Sequence, residues 1–465
     1  MDSAGIAANL GLDQWVCEGT GIGGLIKVRA ADFRVTEEGP TPALDPKGRF
    51  TIARITLDNW ETNRFVNRLA KHLKISRKRI WFSGTKDKRA VTTQLFVIDA
   101  HAKKVSEVDI ADVQIEVLGR SHQKLSMGAH TSNRFSITIR GCADVDGQPL
   151  DEETAIQEVQ KIHAALVEKL GEGFFPNWVG PQRFGSTRPV TPVVGRHVVK
   201  GEWEDAVNAY LGMAGLNERE EVAEFRTQWR ENHDVEAALD IIPKQLGYER
   251  DILYSLKNNP DNWLKAFRKL PNNLQLMTVH SLQSLAFNHL LGERIRSGIS
   301  ISQPIVGDVV GPLDGSSKID TGKLATVTEP LIDRITRNCL MGRLAVCGSL
   351  LGTQSTNSSG EISKLENRIL EKLELDSVTW VIDDVPRLTT KGTKRPLTGT
   401  YSDLTYQTQT KVDLAENSSK WAEGPGEHDR WHKEGACINF KFSLPPGTYA
   451  TTLLREFTRA PIHQS

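Results

Sequence analysis

One carboxylate stands in a strongly basic stretch of the chain and is the first candidate for chemistry. Residues 71–90 carry eight basic side chains and a single acid, Asp87. Positive neighbours favour the ionised form of a carboxylate, and a basic surface attracts phosphate groups. The pattern therefore indicates an enzyme that acts on nucleic acid. The alternative is an aspartate that merely caps backbone N–H groups in a turn, which is a common role for this residue type.

The segments around Asp87 predict a loop held between rigid elements. Residues 79–98 have the pattern of a strand, a tight loop that carries Asp87, and a second strand. Upstream, residues 62–74 place apolar side chains on one helical face, with Thr62 as the expected N-cap. We therefore expect a short helix to precede the loop and a strand to follow it.

Two further segments alternate apolar and polar residues, as half-buried strands do. Residues 24–37 predict a strand or hairpin that carries Lys27, and residues 134–141 predict a strand that carries Phe135. Lys27 is either a solvated strand residue or an ion-pair partner that orients a carboxylate. Phe135 is either a core residue or a platform on which an extruded base stacks. Periodicity alone leaves both alternatives open.

Composition bounds the class of protein. A chain of 465 residues predicts two or more domains. Its net charge is zero, from 58 basic and 58 acidic residues, so only the distribution of charge is informative. Five scattered cysteines without a CxxC pair argue against a zinc ribbon and are typical of reduced thiols in a cytosolic protein. We expect no signal peptide and no membrane span.

A glycine-rich segment at residues 19–24 satisfies the GxGxxG pattern. Binding of a dinucleotide through this pattern requires a strand before it and a helix after it. The residues that follow have a strand pattern instead, so a flexible turn is the favoured interpretation. A nucleotide-dependent enzyme is the weakest of the functional alternatives.

Five motifs occur in order from one end of the chain to the other. They are GLIKVRAADFRVTE (24–37), FSGTKDKRAVTTQ (82–94), SNRFSITIR (132–140), FPNWVGPQRFG (175–185) and FSLPPGTYATTLLRE (442–456). With these motifs the chain resembles the TruD family of tRNA pseudouridine synthases, which isomerise uridine at position 13 of tRNA. Two departures stand out, because Ser132 replaces a usual glycine and Trp178–Val179 replace two aromatic residues.

The resemblance implies an α+β fold with two parts. Residues 1–188 and 390–465 are expected to form a discontinuous pseudouridine synthase catalytic domain around a mostly antiparallel or mixed sheet. Residues 189–389 are expected to form the inserted α/β TRUD domain, whose motif-based start could lie near residue 174. The implied protein is a cytoplasmic monomer that binds tRNA and uses neither a cofactor nor a metal.

The resemblance also assigns site residues by position. The catalytic aspartate falls on Asp87 and the lysine of the first motif on Lys27. The base-stacking aromatic residue falls on Phe135. The remaining positions are expected to contact the RNA substrate, and they are Glu37, Lys86, Lys88, Arg89, Asn133, Gln182, Arg183 and Phe184.

The implied reaction converts uridine to pseudouridine. It breaks the C1′–N1 bond, turns the uracil and joins C5 to C1′. An ionised carboxylate would either add to C1′ of the ribose or remove the C2′ proton, and the sequence does not separate the two routes. The rival class is a non-catalytic protein that binds structured RNA through the same basic cleft.

Overall fold

The computed structural model describes residues 3–185, 188–314, 318–354, 358–409 and 434–460. The chain divides into two compact units. The sheet unit comprises Cys17–Phe175 and Gly399–Ala460, and the helical unit comprises Pro176–Thr398 with the residues up to Val16. The domain boundaries expected from the sequence stay a prediction. Their C-terminal segment includes residues 410–433 and 461–465, which lie outside the described residues.

The strands of the described residues are, in chain order, β1 Gly23–Leu25, β2 Phe33–Glu38, β3 Phe50–Asp58, β4 Ile80–Phe82, β5 Val91–Ile98, β6 Val113–Ser121, β7 Ser132–Cys142, β8 Phe174–Pro176, β9 Val309–Pro312, β10 Ala325–Thr326, β11 Leu344–Leu350, β12 Thr393–Pro396, β13 Thr398–Thr400, β14 Ser402–Thr408 and β15 Ile438–Leu444. The helices are α1 Ser3–Asn9, α2 Thr62–Leu73, α3 Ala102–Ser106, α4 Glu152–Leu170, α5 Thr191–Lys200, α6 Trp203–Gly212, α7 Glu220–Asn232, α8 Val235–Ile241, α9 Gly247–Asn258, α10 Trp263–Phe267, α11 Asn272–Arg296, α12 Ile332–Leu340, α13 Gly360–Lys372 and α14 Ala450–Thr458.

The sheet unit is built on a nine-stranded sheet. Seven strands follow the order β14-β15-β7-β2-β5-β3-β6, while β1 pairs with β7 and β4 pairs with β5. The pair β2–β5 is parallel, and its neighbours β2–β7 and β3–β5 are antiparallel. Together with the surrounding helices this confirms the predicted α+β class with a mixed, mostly antiparallel central sheet.

The strands expected around Asp87 and Phe135 are present. The loop that carries Asp87 runs between β4 and β5, and Phe135 lies on β7. Residues 24–37 are a strand only at their two ends, as β1 and β2. The stretch between these strands contains a short 3-10 helix, Ala30–Asp32. The prediction of a strand or hairpin therefore holds at the two ends of the segment and was wrong between them.

Helix α2 precedes the Asp87 loop but begins differently from the prediction. Glu61 is the N-cap, because its carboxylate accepts hydrogen bonds from the backbone N–H groups of Asn63 and Arg64. Thr62 is the first helical residue instead, and its fully buried hydroxyl accepts the backbone N–H of Lys86 at 3.0 Å. A threonine side chain can serve either purpose. The apolar face of α2, which includes Phe65 and Leu69, packs on the sheet.

The glycine-rich segment at residues 19–24 is a turn followed by a strand. Its backbone N–H groups at Thr20 and Gly21 donate to Oε1 of Glu158 on α4. Gly24, at a φ of +80°, lies so close to β7 that an added Cβ would be 2.6 Å from the side chain of Ile139. This arrangement agrees with the turn interpretation, since a side-chain carboxylate already occupies the donors of the loop.

The helical unit combines α5–α13 with a four-stranded antiparallel sheet in the order β10-β9-β11-β12. The helix α11 runs through its core and ends near a buried ion pair in which Arg294 donates to both oxygens of Asp308. In both units together, the five cysteines are buried and unpaired. Every helix among the described residues is too short or too polar to cross a lipid bilayer.

A buried carboxylate fixes the stretch between β1 and β2. Asp32 accepts the backbone N–H of Arg29 at 3.0 Å and two bonds from Arg140 on β7, at 2.7 and 2.8 Å. The side chains of Asp32 and Arg140 are each 1% exposed. Burial by itself raises the pKa of Asp32, but the hydrogen bonds from Arg140 and Arg29 outweigh it and hold the pKa below the ordinary value of 3.8.

We predict that Asp32→Asn lowers the free energy of unfolding of the sheet unit by about 3–5 kcal/mol, because Arg140 is left without its carboxylate. A lowered folded-state pKa contributes stability that is present above the unfolded pKa and is lost as the pH falls through the folded pKa. The variant should therefore lose stability mainly above pH ~4 and differ less from the wild type in acid. Urea denaturation at several pH values measures this, with the exposed Asp109→Asn as control. An equal loss at every pH would contradict it.

Candidate functional site

The ion pair of Lys27 and Asp87 is the centre of the candidate site. The Lys27 Nζ atom lies 2.5 Å from Oδ2 of Asp87. The lysine side chain is 17% exposed and the aspartate side chain 46% exposed. The carboxylate is thus held by a cation on one side and is open to a ligand on another. The alternative interpretation, in which Asp87 only caps backbone N–H groups of the turn, does not account for this ion pair.

The backbone around Lys27 is unusual and is held from two sides. Lys27 has a φ of +56°, in the left-handed region that non-glycine residues seldom adopt. Its ammonium lies 4.3 Å from the ring centroid of Phe33, a cation–π contact. The next carbonyl, that of Val28, accepts a hydrogen bond from the guanidinium of Arg89. Since Arg89 follows Asp87 by two residues, this bond joins the lysine turn to the aspartate loop.

The residue before Asp87 fixes the other side of the loop. The Lys86 ammonium lies 2.8 Å from Oε2 of Glu37 on β2, and the two side chains are 9% and 4% exposed. The backbone N–H of Lys86 donates to the Thr62 hydroxyl. Lys86 is therefore bound on both its main chain and its side chain, and Asp87 lies between this anchor and the one at Arg89.

Phe135 belongs to a group of three phenylalanines that includes Phe33, the ring in contact with the Lys27 ammonium. Its ring is stacked on Phe442 with centroids 5.4 Å apart, and it meets Phe33 edge-on at 6.1 Å. Phe33 and Phe442 are buried, whereas Phe135 is half-buried. One side of the Phe135 ring is thus taken by protein, while part of the ring remains exposed.

The register of the sheet brings the predicted residues to one face. Val35 pairs with Phe135, and Glu37 pairs with Asn133. Since alternate residues of a strand share a face, Phe33, Val35 and Glu37 line up along β2. Lys27 lies over the first of them and Lys86 binds the last. Asp87, Lys27, Glu37, Lys86, Arg89, Asn133 and Phe135 are therefore brought together.

The remaining predicted residues are Lys88 and three residues of the helical unit. Lys88 is exposed on the Asp87 loop. Gln182, Arg183 and Phe184 belong to the helical unit, where Pro181–Arg183 form a single 3-10 turn. Phe184 is fully buried and Gln182 is exposed. Near this turn, burial together with the charge of Arg183 lowers the pKa of His280.

Some residues of the site were missed by the sequence reasoning. Phe33 supports Lys27, and Phe442 supports Phe135 from a strand some 300 positions away in the chain. Asp32 fixes the turn that carries Lys27. All three lie inside motifs that the sequence shows, so the signal was present. Their contacts depend on the sheet register, which periodicity does not reveal.

The arrangement presents one oriented carboxylate next to a half-exposed aromatic ring. A carboxylate can act as a nucleophile or as a general base, provided that it is positioned and within reach of the reacting atom. The half-exposed ring offers a planar surface for another ring to stack against. The basic side chains of the neighbouring loop are suited to phosphate groups.

Comparison with known proteins gives one consistent family. The family model described as tRNA pseudouridine synthase D (TruD) matches residues 9–457. The chain belongs to the tRNA pseudouridine synthase D family. A probable tRNA pseudouridine synthase D of Methanosarcina acetivorans is 32% identical over 467 residues, which cover 100% of this chain and 99% of the relative. One of Halobacterium salinarum is 32% identical over 97% of this chain and 96% of its own.

A solved structure extends the match to the fold of the TruD family. The crystal structure of a Methanosarcina mazei protein assigned to tRNA pseudouridine synthase D superposes with a TM-score of 0.84. The two sequences are 30% identical, and the match covers 100% of each chain. The family membership expected from the five motifs is thereby confirmed. The roles of the individual site residues stay predictions.

We predict that Glu37 and Lys86 of this TruD protein are energetically coupled. Glu37→Gln and Lys86→Met should each lower the free energy of unfolding, because each leaves one buried charge without its partner. The free energy of unfolding of the double variant should fall by less than the sum of the two single losses, with a difference of at least about 1 kcal/mol. Urea denaturation of the four proteins measures the coupling, and additive losses would show that the pair does not hold the loop.

Proposed function

We propose that this protein isomerises uridine to pseudouridine at position 13 of tRNA, with Asp87 as the catalytic residue. The observation that carries the proposal is the ion pair in which Lys27 Nζ lies 2.5 Å from a half-exposed Asp87 carboxylate. Membership of the TruD family, whose model is described as tRNA pseudouridine synthase D, supports the same reaction. The isomerisation needs no electron donor and no transferred group.

The reaction asks three things of the protein. The C1′–N1 bond of the uridine is broken, the uracil is turned within the site, and C5 is joined to C1′. Asp87 acts either by adding to C1′ of the ribose or by taking the C2′ proton to give a glycal. Both routes need a carboxylate that is charged and oriented. Lys27 supplies the neighbouring positive charge, and the anchors at Lys86 and Arg89 hold the loop.

The uridine has to leave its stack before the carboxylate can reach its sugar. Unstacking a base costs a few kcal/mol, and stacking on an aromatic side chain returns about 1–3 kcal/mol per base. Phe135 is the half-exposed ring at the site and is proposed to receive the base. Its backing by Phe442 makes it a rigid surface for that purpose.

Basic side chains near the site are proposed to bind the tRNA backbone. Lys88 is exposed beside Asp87, and α2 exposes Arg64, Arg68 and Lys71, which lie three or four residues apart and so share one helical face. Arg183 and Gln182 are proposed to contact RNA from the helical unit. Salt should weaken binding strongly, because phosphate contacts release counterions.

The remaining features of the proposal concern the whole protein. Residues 1–188 and 390–465 are proposed to act as the catalytic domain, with residues 189–389 as its insertion. The enzyme is proposed to work as a monomer on tRNA in the cytoplasm, without a cofactor or metal. These statements follow from the resemblance of the five motifs.

We predict that Asp87→Asn binds tRNA with nearly normal affinity and forms no pseudouridine, because the amide can neither add to the sugar nor take a proton. Mapping of pseudouridine in unmodified tRNA should show the modification at position 13 with the wild type and none with the variant. Asp109→Asn, at an exposed acid of the same unit, should retain full activity. Turnover by Asp87→Asn would remove the assignment, and binding without turnover by the wild type would favour a non-catalytic RNA-binding protein.

We predict that Phe135→Ala lowers kcat/KM for pseudouridine formation by about 5-fold to 150-fold, because a lost stacking contact of ~1–3 kcal/mol corresponds to that factor. The dissociation constant for tRNA should change much less, since phosphate contacts supply most of the affinity. Single-turnover kinetics and filter binding measure the two quantities. Phe135→Tyr is the matched control, and equal losses in binding and rate would assign Phe135 to packing instead.

A further inference from the structure

Several buried polar side-chain atoms of the sheet unit have no hydrogen-bond partner among the described residues. They include both amide atoms of Gln94 and the hydroxyl of Thr92 on β5, and the Oδ1 atom of Asn133 on β7, none of which has a partner among the residues that the structure describes. Gln94 is 2% exposed and Thr92 is 1% exposed. A buried polar group without a partner costs about 1–3 kcal/mol, so each of these requires an explanation.

These atoms lie on the sheet face that carries the candidate site. Val35 of β2 pairs with Thr92 on one side and with Phe135 on the other. The β2–β5 register ends at the pair of Thr36 with Thr93, so Glu37 and Gln94 are the residues that follow this pair on their two strands. Glu37 pairs in turn with Asn133 on its other side. By alternation Gln94 lies on the same face as Thr92, and Glu37 and Asn133 lie on the same face as Val35 and Phe135, so these polar side chains share the face that carries Phe135.

We propose that Gln94 binds the target uracil through its N3–H edge, an inference that rests on the proposed function. A carboxamide offers an acceptor and a donor side by side. The Oε1 atom of Gln94 accepts from N3–H, while Nε2 donates to the adjacent carbonyl oxygen of the base. Recognition of bases that have left a helix commonly uses such contacts on their Watson–Crick edges.

The isomerisation leaves the N3–H edge of the uracil in place, which makes this edge suitable for holding the base. When the detached uracil turns about its N3–C6 axis, C5 takes the place of N1 and the two carbonyl oxygens exchange places. The N3–H group stays where it was. A carboxamide that pairs with N3–H and one neighbouring carbonyl thus finds the same pattern in uridine and in pseudouridine. Gln94 is able to hold the base at both ends of the turn.

The contact forms only when the base enters. The Gln94 carboxamide is enclosed by protein in this structure, so neighbouring side chains must move to admit a uracil. The pair of Lys86 and Glu37 belongs to the same face, because Glu37 follows the last pair of the β2–β5 register on its strand as Gln94 does on the other. Binding of the base then replaces an unpaired amide by a paired one, which favours the occupied state of the site.

Gln94→Met tests the inference, because methionine has a similar length and lacks the amide. The kcat/KM for pseudouridine formation should fall about 100-fold, in the range lost when an active-site hydrogen-bond donor is removed. The dissociation constant for tRNA should stay within twofold, and the melting temperature should be unchanged or higher because unpaired buried atoms are removed. A large fall in melting temperature, or full activity, would overturn the proposal.

Thr93→Val provides the matched control on the same strand. Thr93 faces the opposite side of the sheet, where its hydroxyl bonds that of Thr56 at 2.8 Å. This variant should show the reverse pattern, with a lower melting temperature and an unchanged kcat/KM. A loss of activity in Thr93→Val equal to that of Gln94→Met would mean that the effect spreads through β5 and does not come from the amide.

A modified substrate identifies the group that Gln94 binds. A tRNA with 3-methyluridine at the target position lacks N3–H, so the wild type should lose about as much rate on it as Gln94→Met loses on normal tRNA. The rate of Gln94→Met should be little lower on the methylated tRNA than on normal tRNA. If the rate losses from the variant and from the methyl group multiply, the contact is refuted. If the wild type converts no uridine in any tRNA, the proposed function itself fails. An active wild type with an equally active Gln94→Met refutes only the role of Gln94.

Discussion

The bond between Asp32 and Arg140 is the constraint on which the candidate site depends. The pair of Lys27 and Asp87 is partly exposed, and pairs of that kind contribute at most about 1 kcal/mol. The left-handed backbone at Lys27 costs a similar amount or more. The ion pair therefore does not hold its own turn in place. The hydrogen bonds that Asp32 accepts from Arg29 and Arg140 do so, and they act in the buried part of the sheet unit, where a broken pair is far more costly.

The same face of the sheet serves as core and as site. Along β2, Phe33 and Val35 are buried apolar residues, while the side chain of Glu37 is 4% exposed and is paired with Lys86. Toward β3 the face is covered by the apolar side of α2. Toward β7 it carries the half-exposed ring of Phe135. In the loop that bears Asp87, Lys86 binds Glu37 on β2 and Arg89 binds the carbonyl of Val28, which precedes β2. A shift of β2 by one residue would send all of its side chains to the other face.

Much of the fold was predictable because its signals are local. The strands β4, β5 and β7 follow from alternation and turn residues, whereas the α+β class was implied by the resemblance of the five motifs. The five motifs identified the family, and the comparisons confirm it. The start of α2 was mispredicted, because Glu61 and Thr62 are both able to cap a helix. The choice depends on Lys86, 24 residues later, whose backbone N–H donates a hydrogen bond to the Thr62 hydroxyl.

Periodicity did not predict the structure in the middle of the first motif, for a similar reason. Residues 26–32 alternate like a strand, yet the Asp32 carboxylate takes a backbone N–H three residues earlier and two bonds from a residue 108 positions later. The first of these is a local competitor of the strand ladder, and the second is a contact of the folded sheet. Neither is visible in a pattern of apolar and polar residues. The expected position of Lys27 in the site came from the resemblance, while its left-handed conformation came only from the structure.

The residue type at position 27 shows how conformation and chemistry compete. Glycine would adopt a φ of +56° without strain, but it would leave Asp87 without a cation and Phe33 without its cation–π contact. A lysine on a regular strand would avoid the strain. Its side-chain direction would then be set by the alternation of the strand, and not by the turn that brings the ammonium to Asp87. Local strain of about 1–3 kcal/mol persists only where the surroundings enforce it. Here the buried carboxylate of Asp32 enforces it, so the strained lysine is best explained by the need to bring an ammonium to Asp87.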